Sequence, residues 1–217
     1  HLFTTALASD ELPFIEQAVY DFWRQILPNQ SEAFFTYLRQ RGRGVKDLLG
    51  LAQQVLRRTD AGILPRPQGS LLLKSHEENL SELIDEARGL LSNQRAEIIA
   101  AIHESEINRS GYHDANVDRW LNNLDEWLCS PCPLPGDNQA LRAFANESLG
   151  EATTKGKKAP VHEFFDLCDS ILTTGTETED LLDALWIQLK RDLLVGLRET
   201  LPNRKLEANC FAYDDLL

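Results

Sequence analysis

Cys129-Ser130-Pro131-Cys132 has the spacing of half a zinc site, because two thiolates two residues apart can hold one ion from a single turn. Closing the coordination shell takes two more ligands. Cys168 and Cys210 stand alone, and His113 or His162 would have to converge from other elements, so the pair reads as ordinary thiols. A thioredoxin-like role asks for a βαβ context that the pattern does not supply. Glu77-Glu78, Glu104 with Glu106, and Asp214-Asp215 would suit general acid–base work only if their carboxylates faced one another, and adjacent helical positions do not. They read as solvated faces, with Asp214 the N-cap or first-turn acid of a helix that the chain end interrupts. His76, His103 and His162 lie near helix starts or faces with no serine or cysteine in a recognisable nucleophile turn, so no catalytic triad is expected. Neither a GxxxxGK[ST] phosphate loop nor a GxGxxG fingerprint occurs, and without that backbone cradle the chain is not expected to bind ATP alone.

The basic residues are the stronger lead. Arg39, Arg41, Arg43 and Lys46 flank one glycine-bearing turn, Arg57 and Arg58 close the next helix, and Lys155, Lys157 and Lys158 crowd one loop. Guanidinium and ammonium groups on such turns suit phosphate oxygens, although in an acidic chain the same clusters also serve as solubilising loops. Lys and Arg number 22 against 34 Asp and Glu, a formal net charge of −12, which argues against a surface coated in nucleic acid and confines any DNA contact to local patches. Trp120 and Trp127 lie on one helix face and read as core anchors before base-stacking platforms.

The elements that must position these groups are helical. Apolar residues recur at helical spacing along most of the chain, with no convincing period-two alternation, so the fold class is all-α: an irregular bundle of about eight helices. The spacing predicts helices over residues 11–26 (stopped at Pro28), 31–39, 45–58, 75–104, 115–128, 139–149, 161–172 and 176–202, with 59–74 a long loop. Ser75-His76-Glu77-Glu78 reads as a capping box opening the fourth helix, and Thr176 to Glu179 as a second one opening the last. In the fourth helix Leu80, Leu83, Ala87, Leu90, Ile98 and Ala101 recur at heptad-like positions with Gln94 the polar intruder. That pattern predicts lengthwise packing on the last helix, whose stripe is Leu182, Leu185, Trp186, Leu189, Leu193 and Leu197. At 217 residues the chain has room for one large helical domain or two small ones, and a single domain over 1–217 is expected. Four unevenly placed cysteines point to a reducing compartment, and no stretch is apolar enough to span a bilayer, so a cytoplasmic protein without membrane contact is expected.

Several islands are recognisable. Asp10-Glu11-Leu12-Pro13-Phe14-Ile15-Glu16-Gln17-Ala18-Val19-Tyr20-Asp21-Phe22-Trp23-Arg24 resembles the stretch that follows the early motor motifs in the beta subunits of exodeoxyribonuclease V, the RecB-type helicase-nucleases. Ala115 through Trp127 is similar to that family's Trp-bearing helix, and Thr153-Thr154-Lys155-Gly156-Lys157-Lys158-Ala159-Pro160-Val161-His162 to its Thr-Lys-rich loop. The ending, Phe211-Ala212-Tyr213-Asp214-Asp215-Leu216-Leu217, resembles the signature at which UvrD-like helicases return to their ATPase core. The islands occur in the family's order along nearly the whole chain.

The resemblance implies a helical insertion in the first motor domain of a larger protein, lying beside incoming duplex DNA and near the gamma subunit. It also implies partnership with the alpha and gamma subunits of exodeoxyribonuclease V on double-stranded DNA ends, and ATP with magnesium as cofactors of the parent alone. The family's ATP-binding lysine, acidic ATP-hydrolysis motif and nuclease carboxylates have no counterpart in these residues, so no enzymatic activity is expected of them by themselves. Arg39, Arg41, Arg43, Lys46, Lys155, Lys157 and Lys158 are the candidates for the DNA backbone, with no sequence readout. The competing expectation is an acidic helical scaffold that docks a partner subunit and never touches DNA.

Overall fold

Strong amphipathic periodicity with few β-branched runs leaves the backbone little to form except helices packed through their apolar stripes. The computed structural model describes residues 6–7, 12–56, 70–207 and 210–211, and among them eight α-helices account for nearly all regular structure. The chain divides into two compact units, His1–Gln68 with Asp183–Leu217, and Gly69–Leu182.

In the first unit, β1 (Ala6–Leu7) leads to α1 (Leu12–Ile26), which buries Ile15, Ala18 and Val19. Pro28 stops it as expected, in a 3₁₀ turn over Leu27–Asn29. Ser31 then caps α2 (Glu32–Gln40) by accepting from the Phe34 amide, and α3 (Val45–Leu56) begins with Asp47 reaching back to the Gly44 amide at 2.7 Å. Phe34, Tyr37, Leu48 and Trp186 are fully buried, and Trp186 packs against Trp23 and Phe34 with ring centroids 6.5 Å from each. Burying a large apolar side chain is worth roughly 1.5–3 kcal/mol, so this aromatic cluster anchors the unit. β2 (Cys210–Phe211) pairs in parallel with β1, a two-residue ladder too short to leave an alternation in the sequence.

In the second unit, α4 (Ser70–Glu104) starts earlier than the sequence pattern suggests. Residues 70–74, expected as loop, are helical, and Ser75 does not cap: its hydroxyl donates to the Leu72 carbonyl at 2.8 Å inside the helix. Leu73, buried on the same stripe as Leu80, Ile84, Ala87, Leu91, Ile98 and Ile102, extends the packed face upstream of the false cap. This stripe is rotated from the expected one, leaving Leu83, Leu90 and Ala101 on its half-exposed flank. Gln94 breaks the helix geometry with φ −123° and ψ 22°, a kink at the one polar residue on the apolar seam.

α5 (Asp114–Leu128) packs on α4 and buries Val117, Leu121, Leu124 and Leu128. The single helix expected over 139–149 is two, α6 (Gln139–Ala143) and α7 (Asn146–Ala152), divided where Ala145 turns extended. Asp169 closes that break by accepting from the Asn146 amide at 3.1 Å, a cap supplied from a distant element. Conversely, the two helices expected over 161–172 and 176–202 are one, α8 (Glu163–Glu207), which contributes residues 163–182 here and 183–207 to the first unit. Thr176 and Thr178 do not cap but donate back to the carbonyls of Leu172 (2.8 Å) and Thr174 (2.7 Å). Glu179, the other half of that expected box, instead accepts from the Gly136 amide at 2.8 Å. Pro202 lies within α8 and does not end it, because buried Leu201 and the Arg204–Asp21 pair at 3.0 Å hold the last turn in the first unit.

Candidate nucleic-acid interface

The two described basic clusters belong to different units. In the first unit, α2 ends at Gln40, and a reversal through Arg41-Gly42-Arg43-Gly44 carries the chain into α3. Gly42 takes φ +62°, which costs glycine almost nothing and lets the Arg43 amide donate back to the Leu38 carbonyl at 2.8 Å. Arg39, in the last turn of α2, and Arg41, at its C-cap, complement the negative end of the helix dipole and are exposed, as is Lys46 in the first turn of α3.

Arg43 behaves differently from its neighbours. Its guanidinium lies over the Tyr37 ring, 5.2 Å from the centroid, donates to the Tyr37 hydroxyl, and pairs with Asp183 at 2.6 Å. The Tyr37 hydroxyl in turn donates to the same carboxylate. Burial alone would raise the Asp183 carboxyl, but the bonds from Tyr37 and Arg43 and the charges of Arg43 and Arg41 outweigh it and hold the group below its usual range. Burial, then the bond and charge of Asp183, push the Tyr37 phenol well above its usual range despite the opposing arginines. Arg43 is therefore an internal strut, and Arg39, Arg41 and Lys46 are the members of this cluster that face solvent. Neither Tyr37 nor Asp183 stood out in the sequence. A tyrosine on a buried stripe signals that some hydroxyl partner exists, but nothing local could name a residue so distant in the chain.

In the second unit the chain after α4 turns past Glu106 and meets the segment after α7. The Asn108 amide donates to the Ala152 carbonyl at 2.8 Å and the Thr154 amide to the Glu106 carbonyl at 3.0 Å, around an antiparallel bridge between Ile107 and Thr153. This short ladder clamps the root of the 154–160 loop. Gly156, at φ +85°, turns it, and Lys155, Lys157 and Lys158 are all exposed on it. Lys157 pairs with Glu106 at 2.8 Å. A groove of about 500 Å³ runs beside the pair, and Glu104, Glu106, Lys157, Lys158 and Val161 are among the residues that line it.

The remaining candidates take structural places. Cys129 is exposed, Cys132 is half-buried with φ +47°, and Cys168 is buried with its thiol pushed up by that burial and by Asp169. Cys210 lies outside the residues whose side chains are described, and Arg57, Arg58, Asp214 and Asp215 lie outside the described residues. No group of three or more His, Cys, Asp or Glu side chains is placed to hold a metal ion among the described residues. His113 caps α5 by accepting from the Asn116 amide, and His162 accepts from the Phe164 amide at 3.1 Å. His76 lies 3.7 Å from Glu177 and His103 3.5 Å from Asp114. Trp120 is half-buried, edge-on to Tyr112 (5.2 Å) and Phe144 (6.3 Å), which makes it a packing residue; Trp127 is half-buried on the same helix. No helix among the described residues is long and apolar enough to cross a membrane.

No family model matches the chain. It is similar to the RecBCD enzyme subunit RecB of Escherichia coli (strain K12), with 24% identity over 219 residues. The alignment takes in all of this chain but only 18% of RecB.

Proposed function

We propose that the chain is a helical accessory region of a RecB-type DNA helicase-nuclease subunit, one that contacts the backbone of duplex DNA while motor domains elsewhere in the parent translocate. The alignment to RecB along the whole chain carries this reading. It is supported by two patches of exposed cations, Arg39, Arg41 and Lys46 on one turn and Lys155, Lys157 and Lys158 on one loop, in a chain that is otherwise acidic. Such patches suit phosphate contacts without base readout. The parent would unwind and degrade double-stranded DNA ends with ATP and magnesium, in a complex with alpha and gamma subunits, during recombinational repair in the cytoplasm. In this reading the motor and nuclease chemistry lies elsewhere in the parent.

Titration of a labelled duplex against the chain tests this. Weak binding is expected at low salt, falling on a log–log salt plot with a slope of about −0.9 per phosphate contact, and lost on Lys155/Lys157/Lys158→Glu. No binding at about 50 mM salt would overturn the DNA contact. The net charge of −12 favours a second reading, a scaffold that docks a partner subunit and leaves DNA alone. Retention of the chain by isolated gamma or alpha subunit, together with silence toward DNA, would select it.

A further inference from the structure

Lys157 already holds an anion. Its ammonium sits 2.8 Å from a Glu106 carboxylate oxygen, the distance at which a lysine also holds a phosphate oxygen, and both residues line the groove that Lys158 also lines. The position of Glu106 is set by backbone rather than by this contact, since its carbonyl accepts the Thr154 amide and its neighbour Ile107 bridges to Thr153. The Glu106 backbone therefore stays beside the lysine loop whether or not the ion pair is made, which keeps its carboxylate within reach of Lys157. Both side chains are about half exposed, 49% for Lys157 and 58% for Glu106, so the pair is solvent-screened and cheap to open.

Building on the DNA-contact reading, we propose that Glu106 is an internal competitor for backbone phosphate: it occupies Lys157 in the free chain and yields it when a polyanion enters the groove. Glu106 would thus lower the resting affinity of this patch and keep it from retaining nucleic acid indiscriminately. Lys158 and Lys155 give the incoming phosphate its first attraction, and Lys157 completes the seat only after exchange.

A double-mutant cycle on the full chain reads this directly, with duplex affinity measured at about 50 mM salt for wild type, Glu106→Gln, Lys157→Gln and the double variant. Glu106→Gln is expected to tighten binding about two- to fivefold, the range set by an exposed ion pair. That gain should largely vanish in the Lys157→Gln background. An unchanged affinity in Glu106→Gln, or an equal gain in both backgrounds, would overturn the competition, the latter because it reduces Glu106 to a diffuse negative charge. If none of the four proteins binds the duplex, the DNA contact itself falls and the competition with it; binding by wild type without the cycle's coupling removes the competition alone. Matching thermal melts of Glu106→Gln and wild type exclude misfolding, since the backbone bonds at Glu106 do not involve its carboxylate.

Discussion

Gly175 has no Cβ, and Pro135 uses the space: an added Cβ would stand 2.1 Å from the proline Cγ and 2.6 Å from its Cδ. The proline-stiffened loop before α6 thus lies directly on the α8 backbone, a contact reinforced by the Glu179 carboxylate on the Gly136 amide. In an open helix interior, Gly→Ala stabilises by up to about 1 kcal/mol. Here the sign reverses. Gly175→Ala is expected to destabilise by roughly 1–3 kcal/mol through overpacking, and Pro135→Ala should restore part of that loss in the double variant. A denaturant midpoint that rises on Gly175→Ala would show that the loop does not sit on the helix.

Ser75 supplies a test of where α4 begins. As an N-cap it would cost about 0.5–2 kcal/mol to replace with alanine. Inside the helix, with its hydroxyl donating to the Leu72 carbonyl, it contributes little, and alanine is the better helix former. Ser75→Ala is therefore expected to leave stability unchanged or raise it by a few tenths of a kcal/mol, measured by urea denaturation. A loss of about 1 kcal/mol would return the helix start to Ser75.

These two sites show what the sequence could and could not reveal. Helical class and the first, second, third and fifth helices were legible because apolar periodicity and terminators such as Pro28 and Ser31 are local signals. The two misplaced helix starts share one cause: Ser75, Thr176 and Thr178 carry cap-forming hydroxyls that a helix interior satisfies equally well by back-bonding, and only packing decides between the two. Gly175 falls in the gap expected between residues 172 and 176 and is instead a helical position of close approach, which depends on Pro135, a residue far away in the chain. The exposed cations were readable by type. That Arg43 is a strut while Arg41 faces solvent was not, because the deciding partner, Asp183, lies 140 residues on.

The Tyr37–Asp183–Arg43 cluster makes stability depend on pH at both ends. Asp183 titrates lower in the folded chain than in the unfolded one, so its contribution is present above about pH 4 and is lost as pH falls through the folded value. Tyr37 is raised, so its contribution is present below about pH 10 and is lost as pH climbs above that. Urea midpoints across pH should fall on both flanks. Asp183→Asn is expected to flatten the acid flank and Tyr37→Phe the alkaline one; unchanged flanks would mean that other groups control them.

Arg41 and Arg43, two residues apart, should separate cleanly in their response to substitution. Arg41 is exposed at the C-cap of α2, so Arg41→Gln is expected to change stability by less than about 0.5 kcal/mol and to reduce the salt slope of duplex binding by about 0.9. Arg43 already spends its guanidinium on Tyr37 and Asp183. Arg43→Gln removes the cation bonded to that carboxylate, at a cost of roughly 1 kcal/mol after allowance for partial exposure, and should leave the slope unchanged. Paired urea melts and salt titrations of the two variants check both halves. A slope reduced equally by Arg43→Gln would mean that the Asp183 pair opens on binding and that Arg43 also reaches phosphate.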